Sequence, residues 1–557
     1  MNKLILILSF TTAVFVACQS SHDDHDDSIN TPDLSVISDL VFPQDIVEGP
    51  KGQLRITESL STYNPEGVIP PQCYTKHDAA FNPCMTCHQS YPYKSRPNQM
   101  GDGGLQREYA FSDLGVVNHW LNLFEDRTDA MANITDQDVI DYIYTDNYTP
   151  LIKQLHETPD WQGPIPAIEN LHLGKQAFDE QGFALDGSGW VAFNYKPMPS
   201  TFWPTNGSTD DVMVRLPENF RASDCDSEAF SRDTYLANLS ILEASIKRLE
   251  SISTPPIDEN KVCTDLNGDG QLTTVENINQ LSRFVGQASG IETADMLYPV
   301  GTQFLHTVRY IGITAEGEIT VSPRMKEVRY MKKFQFFNIS HLASMYGNEH
   351  QEKIDGLLPK YIHRGDQGTD NSFGWMVQGF IEAEDGHLRR QTQEEHLFCM
   401  GCHTTIGSTI DQTFAFPRKV TGAKGWGYIN LKGMSDTPNV DGPGYGEIKH
   451  YLKTVGGGNE FRENLEMVER FFNQDGTLNE AAVDQARDVY DLITPGLRRA
   501  LDLNKAYMTI VHDQDYIHGR DANLTPAKNV HPNIDNHTPV LPEDKTIPWD
   551  IRLLWPE

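Results

Sequence analysis

Apolar residues recur at helical spacing over Leu114–Phe124 and over Asp136–Tyr144, and each stretch predicts a helix. A longer one runs over Asp226–Ile252, with Tyr235, Leu239, Leu242, Ile246 and Leu249 on one face, and stops ahead of Pro255-Pro256. Ile278, Leu281 and Val285 mark a further helix. Residues 460–473, with Phe461, Leu465, Val468 and Phe472 as an apolar stripe, and residues 479–493 read as amphipathic helices. Alternation is confined to Phe304–Ser322. There Val308, Tyr310, Ile311 and Ile313 precede the turn Ala315-Glu316-Gly317-Glu318, and Ile319 and Val321 follow it, which predicts a β-hairpin. Gly187–Pro217 and the tail from Asp513 read as loops. The expected fold class is mainly α, with long irregular loops and a small β-hairpin element.

The N-terminus changes the picture of where the chain works. Lys3 followed by the apolar run Leu4–Val16 reads as a secretion signal, too short to span a bilayer. Residues 18–49 read as an acidic disordered tether, since Ser20-Ser21-His22-Asp23-Asp24-His25-Asp26-Asp27 has nothing to bury. The chain has 557 residues, 38% of them hydrophobic, and a formal charge of −33. That charge excludes nucleic acid as a partner, because phosphate would be repelled, and favours positively charged partners.

Two short words carry the chemistry: Cys84-Met85-Thr86-Cys87-His88 and Cys399-Met400-Gly401-Cys402-His403. Both read C-x-x-C-H, the attachment signal for c-type haem. Two thiols add across the two vinyl groups of the porphyrin, and the histidine that follows is placed to bind iron as the proximal ligand. The expected cofactors are therefore two covalent haems, held by Cys84, Cys87 and His88 and by Cys399, Cys402 and His403. On the far side of each iron, Met198 in Pro197-Met198-Pro199 and Met434 in Gly433-Met434-Ser435-Asp436-Thr437-Pro438 are candidate distal ligands. His119, His450, His512 and His518 are alternatives. His396, seven residues before His403, reads as a surface or propionate-side residue. Arg324, Lys326, Arg329, Lys332 and Lys333 form a basic cluster that could meet haem propionates, although a solvated face is the simpler reading. Trp203, Trp375 and Trp426 read as core aromatics before electron relays.

The remaining cysteines and one acidic loop describe a second module. Of eight cysteines, Cys73, Cys225 and Cys263 are left once haem and lipid are accounted for. In an oxidising compartment Cys225 and Cys263 are the favoured disulfide, which leaves Cys73 buried and unpaired. Asp265, Asn267, Asp269, Gln271, Thr273 and Glu276 occupy positions 1, 3, 5, 7, 9 and 12 of an EF-hand-like calcium loop, with Gly270 at the sharp turn. One structural calcium ion is expected there.

Two resemblances extend these readings. Phe15-Val16-Ala17-Cys18 resembles the lipobox of bacterial lipoproteins, which implies cleavage before Cys18, its lipidation, and with Gln19 next in the chain, sorting to the outer membrane, on the periplasmic or the cell-surface face. The two pentapeptides resemble those of the c-type cytochrome superfamily. Two haem words with a calcium site between them are similar, at the level of parts, to di-haem cytochrome c peroxidases. The organisation expected is a signal peptide (1–17), the tether (18–49), a first haem domain (50–220), a helical insert with the calcium loop (221–295) and a second haem domain (296–557). The function expected is an exported, lipid-anchored electron carrier acting between redox proteins or on a small oxidant or reductant. The alternative is a peroxidase or oxygenase-like enzyme with one open iron position. The oligomeric state is not legible.

Overall fold

A turn at Thr314–Glu318, in which Gly317 (φ 80°) donates its N–H to the Thr314 carbonyl at 3.0 Å, joins two long strands, and the fold grows from that hairpin. The computed structural model describes residues 33–45, 47–91, 96–99, 101–225, 230–357, 360–456 and 463–556. The expected signal peptide and Cys18 lie outside the described residues, as does Phe461. The strands used below are β1 (Val191–Ala192), β2 (Thr209–Arg215), β3 (Ser251–Asp258), β4 (Thr274–Asn279), β5 (Gln303–Ile313), β6 (Ile319–Lys333), β7 (Ile362–His363), β8 (Thr369–Asp370), β9 (Trp375–Glu382) and β10 (Leu388–Arg390). Eight of them make one antiparallel sheet in the order β1-β2-β5-β6-β9-β8-β7, with β10 also paired to β9, while β3 and β4 pair separately.

The expectation of a mainly α fold is thereby corrected. The predicted hairpin is real, but it is the centre of a large sheet and not a minor appendage. Its second strand continues to Lys333 through the basic cluster, and those charges concealed it. Arg324 is buried against Glu382 at 2.6 Å, Lys333 against Asp411 at 2.5 Å, and Arg309 on β5 against Asp211 on β2 at 2.8 Å. Paired and hydrogen-bonded charges can occupy core positions that a sequence pattern assigns to solvent. Of the five basic residues, only Lys332 is exposed.

The sheet is covered on both faces. Alternate residues of β2 divide between two cores: Val212 and Val214 join one, Met213 the other. The first core holds helix α3 (Arg232–Lys247) through Tyr235, Leu239, Leu242 and Ile246. The second holds α2 (Tyr148–Glu157) through Leu151 and Leu155. A third core packs Tyr310, Ile311 and Ile313 of β5 against α1 (Asp136–Ile143) and α7 (Leu497–Asp513). Other helices are α4 (Ile339–Ile354), α5 (Gln393–Met400) and α6 (Glu447–Val455).

Several predicted helices are corrected. Over Leu114–Phe124 only the short turn Leu121–Leu123 forms. The long insert helix ends at Lys247, capped by Arg248 in the left-handed region, and Ile252 lies in the strand pair instead. Ile278, expected on an outgoing helix, lies on β4 and is fully buried. The interval 479–493 splits into Glu480–Gln485 and Val489–Ile493, the second started by the Asp488 side chain accepting from the Asp491 N–H. Cys225 and Cys263 are joined in a disulfide.

Candidate functional site

The two C-x-x-C-H words fold into the same local shape. In the first, the Asn82 carboxamide accepts from the Met85 N–H at 3.1 Å and starts the single turn Pro83–Thr86. The His88 N–H then bonds the Cys84 carbonyl at 2.9 Å. In the second, Thr392 and Glu395 form a capping box at the start of α5, and the His403 N–H bonds the Cys399 carbonyl at 3.0 Å. Each word is thus a tight turn that sets two cysteines and a histidine on one side.

Far apart in sequence, the words meet in space. Ser408, just after the second, donates its N–H to the Cys87 carbonyl at 3.1 Å. Asn98 donates to the carbonyls of Gly407 and of Thr409, the latter at 2.7 Å. A Cβ on Gly407 would lie 1.7 Å from the Gln89 carbonyl oxygen, so this approach requires glycine. Gly401 inside the second word meets the Val68 carbonyl in the same way. Cys84, Cys87, His88, Cys399, Cys402 and His403 line one cavity of about 400 Å³. The expected pair of separate haem units is therefore a single shared chamber.

One face of the sheet floors the chamber. Asp210 and Val212 of β2, Phe304, His306 and Val308 of β5, Arg329 and Met331 of β6, and Val377 and Gly379 of β9 face it at alternate positions. Val68, Ile69, Phe111, Phe202, Phe398, Phe414, Phe416 and Tyr451 make the remaining walls largely apolar and aromatic.

The two histidines differ in their hydrogen-bond partners but share a buried setting. His403 Nδ1 lies 2.8 Å from the Gln412 carbonyl; with the N–H on Nδ1, Nε2 keeps its lone pair. His88 Nδ1 is buried with no hydrogen-bond partner. Burial pushes both imidazoles down to about 4, so both are neutral at pH 7 and able to ligate. Burial also raises the Cys84 and Cys402 thiols to about 12. Cys73 is half-buried, and desolvation, with the charge of nearby Cys84 and Cys402, raises its thiol further still. A rigid pair of C-x-x-C-H turns opening on apolar and aromatic walls, with neutral imidazoles, fits covalent haem.

The distal candidates separate. Met198 is buried and lines the chamber, packed with Met85, Cys87 and Trp549. Met434 does not line it and instead packs with Trp203, Ile448 and Leu452 in another core. His450 is buried on α6 away from the chamber, and His512 is 78% exposed. His119 and His518 lie against Tyr63, outside it. His396 is corrected: it is fully buried, 3.0 Å from the Thr369 hydroxyl through Nδ1, with Nε2 accepting from the Gly379 N–H at 3.1 Å. Trp203, Trp375 and Trp426 are buried core residues. His306, which the sequence reading passed over, faces the chamber with Nε2 3.0 Å from Asp210. Period-two alternation along β5 was its available signal.

The acidic loop is partly shaped for an ion. Asp265 accepts from the N–H groups of Gly268 at 2.7 Å and Gly270 at 2.8 Å, and Leu266 is buried. Glu276 stands exposed on β4, and Asp265, Asp269 and Glu276 do not converge within 4.8 Å. Among the described residues the acidic group that does converge is Glu125, Asp513 and Asp515, where Arg127 already bonds Glu125 and Asp513 at 2.6 Å each.

Fold and site together define a protein built on one large antiparallel sheet, with a single chamber lined by two C-x-x-C-H turns. A lipoprotein family model matches residues 57–490, and the chain belongs to that family. An uncharacterized lipoprotein of Aquifex aeolicus (strain VF5) is 29% identical over 524 residues, covering 83% of this chain and 86% of its own. No solved structure matches. These findings correct the resemblance to the c-type cytochrome superfamily and its di-haem peroxidases, which goes no further than the two pentapeptides. Among the described residues no helix is long and apolar enough to cross a membrane.

Proposed function

We propose that this lipoprotein holds two haems covalently in one chamber and passes electrons between them and an external partner. The observation that carries the reading is that both C-x-x-C-H turns, from opposite parts of the chain, open on the same apolar cavity. Bound there, the haems would supply one-electron chemistry at iron. The chain's part is to hold and tune them. Cys84, Cys87, Cys399 and Cys402 would hold them, His88 and His403 would offer imidazole nitrogens to the iron, and the Gln412 carbonyl, 2.8 Å from His403 Nδ1, would fix the tautomer of that ring. Met198 is the distal candidate in reach of the chamber. The apolar walls exclude water, which limits the solvent rearrangement that accompanies a change of charge. Family membership supports a lipid anchor, with Cys18 as the proposed site and the outer membrane as the proposed location. The loop from Asp265 to Glu276 is proposed to take one calcium ion, with Glu276 swinging in to complete the site.

The test is mass, absorption and paramagnetic-resonance analysis of the full chain made in a host with haem-attachment machinery. Two covalent haems are expected in the wild type and one each in Cys84→Ser/Cys87→Ser and Cys399→Ser/Cys402→Ser. A chain that leaves that host with no haem refutes the reading.

A further inference from the structure

One wall of the chamber gathers three cations and holds two buried donors that no neighbour satisfies. Lys326, Arg329 and Arg520 line it together with Tyr507, and the carboxylates on the same wall are Glu327 and Asp521. Glu327 is engaged already: it accepts from Arg329 at 2.9 Å, Arg520 at 3.2 Å and Gln391 at 3.0 Å. Three cations thus gather on one wall in a chain whose net charge is −33.

The donors point to an occupant. Tyr507 is 2% exposed, and its hydroxyl has no hydrogen-bond partner. Burial, with Glu327 and Glu382 nearby, keeps that phenol protonated and therefore a donor. Arg520 is 7% exposed, and its Nε is likewise buried without a partner. An orphaned buried donor is costly, more so when charged, unless something accepts from it. Lys326 reaches this place through a β-bulge. Val308 pairs with Glu327 and Arg309 with Met325, so Lys326 is the extra residue of β6. Bulges re-aim a side chain in this way. Its ammonium lies 4.0 Å from the Tyr507 ring centre and donates to the Gly207 carbonyl at 2.5 Å and the Ser208 hydroxyl at 3.2 Å.

We propose that Lys326, Arg329, Arg520 and Tyr507 form a binding site for a carboxylate-like oxyanion inside the chamber. A planar anion with two or more acceptor oxygens would accept from such donors and be attracted by the gathered cations. The chemistry has two sources, a propionate of a haem held in the chamber or a small free oxyanion that reaches it. The first source rests on the haem reading above; the second does not.

The test uses the full-length protein with its haem count read separately by mass, and the variants Tyr507→Phe and Arg520→Gln. Sodium nitrite and sodium formate are the free-anion probes, titrated by calorimetry. If the occupant is free, wild type binds a probe and both variants weaken it tenfold or more. If the occupant is a propionate, no probe binds, and both variants lower the reduction potential of one haem, a tenfold change in the equilibrium being about 59 mV. Because the Tyr507 hydroxyl has no protein partner, Tyr507→Phe should fold as well as wild type, so a null result is not a folding artefact. The absence of both, with no probe bound by the wild type and no potential shift in that variant, overturns the proposal. A chain without haem that still binds nitrite through Tyr507 sustains the oxyanion site and refutes the haem reading alone.

Discussion

Lys333→Met tests how the sheet controls the second C-x-x-C-H word. Lys333 and Asp411 are both fully buried, with Nζ 2.5 Å from each carboxylate oxygen, and Asp411 also accepts from the Tyr298 N–H at 3.0 Å. Asp411 and Gln412 both sit at positive φ, 46° and 60°, an unfavourable backbone for residues other than glycine. The pair therefore pins a strained loop whose next carbonyl, Gln412, orients His403. Removing the ammonium leaves a buried carboxylate uncompensated, which costs about 3–5 kcal/mol. The double variant Lys333→Met/Asp411→Leu removes the stranded charge and should recover most of that loss, because hydrophobic replacement of a buried pair is often near neutral. It should not restore the loop, so the spectrum of one haem should stay altered in both variants. Urea unfolding at pH 7 and the absorption spectrum are the two readouts. A loss below about 1 kcal/mol in Lys333→Met, or a double variant as unstable as the single one, would refute the reasoning.

Three further outcomes are expected. Met198→Ala should change the spin state of one haem, whereas Met434→Ala should cost about 2–5 kcal/mol as a core truncation and leave the spectrum alone; the reverse pattern would exchange their roles. Burial pushes His396 down to about 3 and His77 down to about 4. The unfolded chain therefore binds more protons than the folded one below about pH 6.5, and stability falls as pH drops from there towards 4. His396→Gln should flatten that slope in urea midpoints taken at pH 7 and pH 4.5, and parallel slopes would count against it. Chelating calcium should lower the thermal midpoint of the wild type, with affinity near ~10⁻⁴–10⁻³ M, and should not change Asp265→Ala; equal responses would remove the loop as a calcium site.

The sequence was most informative where chemistry fixes residue identity and spacing, and least where packing decides. The haem words were legible as words because thiol, thiol and imidazole must follow one another at fixed spacing. Their meeting was not, since it depends on Gly407 passing the Gln89 carbonyl and on Ser408 bonding Cys87. The hairpin from Phe304 was visible from its alternating apolar residues. Its extension through Arg324 and Lys333 was hidden, because each charge is cancelled by a partner distant in sequence, Glu382 and Asp411. The same cause misplaced His396, whose buried ring is satisfied by Thr369 and Gly379. Asp226–Ile252 overran for a different reason: helical spacing continued past Lys247, but pairing of β3 with β4 claimed Ile252.

The shared chamber also bears on when haems, if held as proposed, would enter. Each C-x-x-C-H turn is a local structure, held by Asn82 in one case and by the Thr392–Glu395 capping box in the other, so each can form before the chain is complete. The chamber is not local. Its floor needs β2, β5, β6 and β9, and its far walls come from both ends of the described chain. In the folded protein the Cys84 and Cys402 thiols are buried and held protonated, which suppresses the thiolate that reacts. Attachment to the exposed turns of an unfolded or partly folded chain avoids that barrier, and closure of the sheet then sets the apolar walls around the attached groups. Under the haem reading proposed above, the haems would be part of the core around which the two halves of the chain assemble.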